Sequence, residues 1–371
     1  MSTQLGQPHF TIQEGTSGGS SGSLSPFGVT RTTGKLLATQ GYVVGIEISG
    51  SGTRQSVALA DLEGNILHQV RHTLEYVPDT ITVLSLIEDM LAETMSPERL
   101  QNGRVLRVGV AVGGLVDATH GIVRTLYHTH GWSDFPLQDY LSERLDIPCI
   151  IDNNANAAAL AEVQHGAASV KGLSPRNVER VVLYIGLGRG IGGGLVVNGK
   201  IFHGETCVAG EIGHVFVKEN GPQCSCGGYG HLEAIASAQA ISRAMVERSE
   251  AYPETIAAIR RVTGDRPESI AADQVFLLAA EGDEVARGIV QDVQTYLGIA
   301  VANIVQLINP GVIIIGGQVA QAGDLLIIPL QARVHELCLA AANSSLRIAR
   351  SSFGSEANIV GAVTLALQDI E

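Results

Sequence analysis

Four residues in one short stretch have the donor types that a tetrahedral metal site requires. His214, Cys224, Cys226 and His231 fall within CVAGEIGHVFVKENGPQCSCGGYGHLE, residues 207–233. Zn²⁺ in a closed structural site takes four nitrogen or sulfur donors. The Cys224-Ser-Cys226 pair chelates poorly unaided, so one histidine upstream and one downstream are needed to complete the set. Gly213, Gly221, Gly227, Gly228 and Gly230 lie among these residues, and glycine lets a backbone fold tightly around an ion. The plain alternative makes the cysteines buried thiols and the histidines core or solvated residues. The clustering of all four favours zinc, which would fix the loop between them.

The surrounding pattern is that of an α/β protein. YVVGIEI, SVALADLEGN and ILHQVRHTL are three apolar, β-rich runs, two of them joined by a Glu-Gly-Asn turn, and they predict an antiparallel opening sheet. Helical spacing runs from Thr80 to Met95, and Val105–Val112 reads as a buried strand ending at Gly113 and Gly114. Ile147–Asp152 is another strand, followed by a helix from about Asn154 to His165 that Asp152 or Asn153 could cap. Val181–Leu187 and Leu195–Val197 flank the glycine turn GLGRGIGGG. Glu281–Ile308 reads as one long amphipathic helix, stopped by Asn309-Pro310. GVIIIGG, residues 311–317, is a buried strand running into a glycine turn and a helix, a geometry whose amides can hold phosphate. Two similar strand, glycine-turn and helix halves suggest a duplicated architecture.

Composition narrows the function classes. The chain has 371 residues, enough for two cores, and residues 1–40 have the Gly/Ser-rich makeup of a flexible tail. No apolar run is long enough to span a bilayer and the first lysine or arginine is Arg31, which together predict a cytoplasmic protein with no membrane partner. Five cysteines, two of them in a metal-like pair, argue against a disulfide framework. A net charge of -13 with no Lys/Arg cluster opposes nucleic-acid binding by this chain alone.

The stretch GEIGH, CSCG and GHLE resembles the zinc motif of the ROK family (repressors, open reading frames and sugar kinases), with His231 where the family usually has a third cysteine. Similarity extends from Gly41 to the C-terminus. It implies the ribonuclease H-like, actin-like ATPase fold, with two lobes about a central cleft. The small α/β lobe would span 41–152, with a C-terminal helix, about 357–371, packing back on it. The large α/β lobe would span 153–356 and carry the zinc motif. The resemblance also favours a homodimer.

It further implies two separable tasks, holding a sugar and moving a phosphoryl group. Gly114, Asn153, Glu211, His214 and Glu233 match the family's sugar-facing positions, and for Glu233 helix N-terminal capping is a rival role. Thr129 stands where the family often has Asn. The family's catalytic base is the Asp of Glu-Asn-Asp-Ala-Asn, matched here by Asp152-Asn153-Asn154-Ala155-Asn156, so the base position holds Asn154. An amide cannot take a proton at neutral pH. Asp152 is a possible substitute.

The phosphate loops depart as well. The first becomes Glu47-Ile48-Ser49-Gly50-Ser51-Gly52-Thr53, with Glu47 as a candidate magnesium ligand and Gly50, Gly52 and Thr53 in the turn. In the second, Gly188-Arg189-Gly190, Arg189 replaces a small hydroxyl residue; it would fill phosphate space, bind an anion such as a sugar phosphate, or pair with a surface carboxylate. Gly316-Gly317 is retained at the adenosine-side turn. The expectation is a sugar-sensing or sugar-phosphate-sensing module, with a possible protein partner and little or no kinase activity. An ATP-dependent hexose or N-acyl-hexosamine kinase using Mg-ATP ranks second, and a transcriptional repressor third.

Overall fold

A computed structural model describes residues 41–126, 129–169 and 180–370; the segment expected to be a flexible tail lies outside them. The chain divides into two compact units. The first takes the described residues of Met1–Val170, with His203–Val208 and Glu356–Glu371; the second takes those of Lys171–Phe202 and Ala209–Ser355.

In the first unit, β1 (Gly41–Ile48), β2 (Arg54–Asp61) and β3 (Ile66–Thr73) form the antiparallel opening. The Glu63-Gly64-Asn65 turn is held by Asp61, whose Oδ1 accepts the N–H groups of Glu63 and Asn65, while Gly64 takes φ +84°. The sheet grows on the other side of β1 by parallel pairing with β4 (Arg104–Val112), and β4 pairs in parallel with β7 (Cys149–Asn153). A separate two-stranded ribbon joins β5 (Leu115–Asp117) to β6 (Ile122–Thr125).

Every residue of β1 is buried, so both faces of this sheet are covered. On one face Val44, Ile46 and Ile48 pack with Val83, Ile87 and Leu91 of the helix Thr80–Thr94. The other face is lined by small residues because helices press against it at backbone distance. A Cβ on Gly109 would lie 2.1 Å from the Ala362 carbonyl, and one on Gly45 would lie 2.8 Å from Val363 Cγ2, both in the helix Ala357–Leu367. That helix in turn meets the helix Asn154–Gln164, where a Cβ on Gly361 would be 2.4 Å from Ala157 carbonyl carbon. The alanine-rich run Asn154–Gln164 is therefore built into the first unit. The sequence reading sets the lobe boundary at 152/153; by contacts, the described residues up to Ser169 and His203–Val208 group with this unit.

The second unit repeats the plan. Its sheet order is β10 (Lys200–Ile201), β9 (Ile191–Val197), β8 (Val181–Leu187), β11 (Val312–Gly316) and β12 (Arg347–Arg350). The first two pairings are antiparallel and the last two parallel, matching β3-β2-β1-β4-β7 position by position. A second core covers this sheet, drawing on Ile185, Ile289, Val293, Leu297 and Ile313. The long helix begins at Glu284 and not at Glu281. Gly282, at φ +110°, closes the helix Ala272–Glu281, and Asp283 caps the next by accepting the Ala286 N–H. The apolar period runs through this break, which is why the sequence reads as one helix. At its far end Asn309 takes the left-handed conformation before Pro310.

Candidate functional site

In the first unit the ends of three adjacent strands gather the glycine turns and the Asn-rich helix start. β1 ends in the hairpin turn Ser49–Thr53, where the Gly52 N–H bonds Ser49 O at 2.8 Å and Gly52 has φ +64°. This turn lies against the turn after β4, since a Cβ on Gly50 would be 2.4 Å from Gly113 O. Next to it, Gly114 O accepts the Asn153 side-chain N–H at 2.8 Å. Asn153, not Asp152, caps the helix Asn154–Gln164: its Oδ1 accepts the N–H groups of Ala155 and Asn156. Both lone pairs of that oxygen are then committed, so what Asn153 retains for a ligand is one amide N–H.

Asp152 is no spare base. Its Oδ1 accepts the Asn153 backbone N–H at 2.7 Å and Asn156 Nδ2 at 2.9 Å, and its Oδ2 meets His203 Nε2 at 2.7 Å. Burial leaves only 5 % of this side chain exposed. Asn154, half-buried in the first turn of the helix, makes no side-chain hydrogen bond among the described residues. Its free group is an amide, which neither takes nor supplies a proton near neutral pH.

Glu47 is buried at the end of β1, and its Oε1 accepts from Arg54 Nη2 at 2.8 Å and Asn358 Nδ2 at 3.0 Å. A carboxylate already neutralised by a guanidinium is a poor fit for a divalent cation, so the residues present do not favour magnesium at this loop. Thr129 is buried against the same turn, 2.8 Å from where a Cβ on Gly52 would stand, and its Oγ1 has no partner among the described residues.

The second unit assembles the Cys/His cluster and the other two glycine turns. The ligand atoms of His214, Cys224, Cys226 and His231 all lie within 4.8 Å of one another. Two edges of the cluster are already short: Cys224 Sγ to His214 Nδ1 is 3.6 Å and Cys226 Sγ to His231 Nδ1 is 3.3 Å. Zinc bonded at about 2.0–2.3 Å needs tetrahedral edges of about 3.3–3.8 Å, so the donor set fits the ion. Backbone turns hold it in place. The Cys224 N–H bonds Gly228 O, the Gly227 N–H bonds Cys224 O, and a Cβ on Gly228 would collide with the His231 ring at 2.4 Å.

Burial, with Glu233 nearby, pushes the Cys224 thiol up to about 11, and burial, aided by the neighbouring His231, lowers His214. Neutral imidazole is the form that ligates, whereas the thiol must lose its proton when a metal enters. Glu211 Oε2 lies 3.9 Å from His214 Nε2. Burial, then the negative charge of Glu233, raises Glu211 to about 7, so near neutral pH it can donate as well as accept a hydrogen bond.

Glu233 does not cap its own short helix, Glu233–Ala236. Its Oε2 accepts the Ile191 N–H at 3.0 Å and its Oε1 accepts from Ser225 Oγ at 2.6 Å. The carboxylate thus joins the Cys loop to the turn Gly188-Arg189-Gly190, where a Cβ on Gly190 would be 2.5 Å from Glu233 Oε2. Gly317, at φ +82°, approaches the same turn, within 2.5 Å of the Leu187 backbone for an added Cβ. Arg189 is exposed with no ion pair among the described residues, which leaves its guanidinium open to an anion.

Several of these residues carry no motif. His203, Arg54, Asn358 and Ser225 act through partners that only the fold brings near, although Ser225 lies between two candidate ligands and could have been suspected.

Two sheets of identical strand order, each followed by glycine turns at the ends of its central strands, define a duplicated α/β protein of the actin-like ATPase fold. The chain belongs to the ROK family, whose model matches residues 43–369. It is 33% identical over 330 residues to a glucokinase of Halalkalibacterium halodurans, covering 88% of this chain and 95% of that one. It is 26% identical over 331 residues to a xylose repressor of Caldicellulosiruptor bescii, covering 89% of this chain and 79% of the repressor. Among solved structures it matches a ROK glucokinase from Streptomyces griseus in complex with glucose and AMPPNP. There the TM-score is 0.74 at 28% identity, over 88% of this chain and 99% of that one.

Proposed function

We propose that this chain is a ROK-family carbohydrate-binding protein that senses a sugar or sugar phosphate and does not itself transfer a phosphoryl group. The observation that carries this reading is the commitment of Asp152, the carboxylate two residues before Asn154, to Asn153, Asn156 and His203. A positioned base is worth about 10²- to 10⁴-fold in rate, and an amide supplies none of it. The Arg54–Glu47 pair and the exposed Arg189 support the same reading, since one neutralises the candidate magnesium ligand and the other adds bulk to the phosphate turn.

Sugar contacts are assigned to Gly114, Asn153, Glu211, His214 and Glu233, whose remaining donors and acceptors suit hydroxyls. The Thr129 hydroxyl, without a partner among the described residues, is consistent with a ligand at the first loop. Zinc at His214, Cys224, Cys226 and His231 would order the loop that presents Glu211 and Glu233. We place the protein in the cytoplasm as a homodimer that passes its signal to a protein partner. No helix of the described residues is long and apolar enough to cross a membrane.

The test is a thermal-shift panel of hexoses, pentoses and their phosphates. Sensing requires at least one compound to stabilise the protein in a concentration-dependent way, and a panel without a stabiliser removes the reading. A second reading, an ATP-dependent sugar kinase of glucokinase type, is favoured by the 33% identity to a glucokinase. It requires sugar-dependent release of ADP.

A further inference from the structure

We propose that Asp152 and His203 form a positioning pair that sets the Asn153 turn, so that sugar affinity depends on the protonation state of His203. The proposal rests on the carbohydrate reading above and assigns a role to a residue outside every motif.

The geometry is a three-way junction at one buried carboxylate. Asp152 Oδ1 holds the Asn153 backbone N–H and the Asn156 side chain, which fixes the first turn of the helix Asn154–Gln164. Asp152 Oδ2 holds His203 Nε2 at 2.7 Å. Asn153 in turn fixes Gly114 through its side-chain N–H. The position of both sugar-facing groups in this unit therefore runs through Asp152, and the group that compensates its charge is His203.

A carboxylate with 5 % of its side chain exposed is costly unless it is paired and hydrogen-bonded. Two amide donors satisfy one oxygen, but only His203 can bring a positive charge. His203 keeps 31% of its side chain exposed and exchanges protons with solvent. The hydrogen bond to Asp152 raises its pKa from 6.5, burial opposes, and the Asp152 charge adds to the rise. The charged group acting on the ring is Asp152; Glu205, on the same segment, is exposed.

Because the folded pKa is raised, the pair's stabilisation is fully present below 6.5 and is lost as pH rises through the folded value. Above that value the imidazole still donates to Asp152 but as a neutral group, and neutral hydrogen bonds are about half as strong as charged ones. The Asn153 turn then loses its compensated anchor.

The experiment compares wild type with His203→Arg, which fixes the charge, and His203→Gln, which keeps a donor without charge. D-Glucose is titrated by calorimetry from about pH 6 to about pH 9, spanning the ordinary and raised histidine range. The wild-type dissociation constant is expected to rise about 3- to 10-fold across the His203 midpoint, the difference between a charged and a neutral hydrogen bond. His203→Arg is expected to stay flat and tight, and His203→Gln flat and weak. A His203→Gln protein with wild-type affinity and wild-type slope would overturn the proposal. Histidine NMR on the same proteins separates this from failure of the carbohydrate reading. If glucose binds no variant, the Asn153 backbone N–H must still shift with the His203 midpoint in wild type and not in His203→Arg. An Asn153 resonance that ignores the His203 titration rejects the positioning pair whether or not sugar binds.

Discussion

Asn153 carries more hydrogen bonds than the sugar contact proposed for it requires. It caps a helix with one side-chain atom and ties Gly114 with the other. Its replacement by Ala is therefore expected to lower stability by about 1–2 kcal/mol through loss of the cap alone, measured by urea denaturation, and to weaken any sugar response as well. A change in sugar response with unaltered stability would assign the residue to ligand contact only. At this scale the sequence was informative where chemistry is local. The four Cys/His donors can be read from residue type and spacing, and Asn154 is placed at the base position by the resemblance to the ROK motif. The Asp152–His203 hydrogen bond spans 51 residues, and the Asn358–Glu47 bond spans 311. Neither contact has a periodicity or motif, since each exists only once the chain has folded.

Elements explain why the Asn-rich turn is placed so firmly. The helices Asn154–Gln164 and Ala357–Leu367 approach at backbone distance through Ala157 and Gly361. Gly361→Val is expected to cost about 3 kcal/mol, because the atom it meets is backbone and cannot rotate away. Gly288→Ala, in the open face of the helix Glu284–Ile308, meets nothing within 4 Å and should stabilise by about 0.5–1 kcal/mol through helix propensity. Chemical denaturation of the two variants checks both signs, and equal effects would discount the packing argument. Strand positions were largely legible from apolar runs. The helix break at Gly282 was not, because the apolar stripe continues across it. The membership of Asn154–Gln164 was also hidden, since an alanine-rich helix packs by close approach and leaves no strong amphipathic pattern.

The whole molecule holds two cores of matching strand order, and the Cys/His cluster belongs to one of them. A zinc-binding cluster predicts that chelation by phenanthroline lowers the melting temperature by at least about 5 °C. Hydrogen exchange should then show the loss concentrated in the second unit, around residues 211–233. Uniform loss, or none, would contradict a structural ion there. ROK membership does not separate the family's functions, because glucokinases and xylose repressors both match nearly the full described chain. The distinction falls on the groups around Asn154. The most direct measurement combines binding and turnover: purified protein with Mg-ATP is offered the sugar that stabilises it most, and ADP release is followed. Saturable binding with no sugar-dependent ADP above background is the expected result for a sensor. Sugar-dependent turnover at rates ordinary for kinases, about 1–100 s⁻¹, would contradict it and make the protein an enzyme.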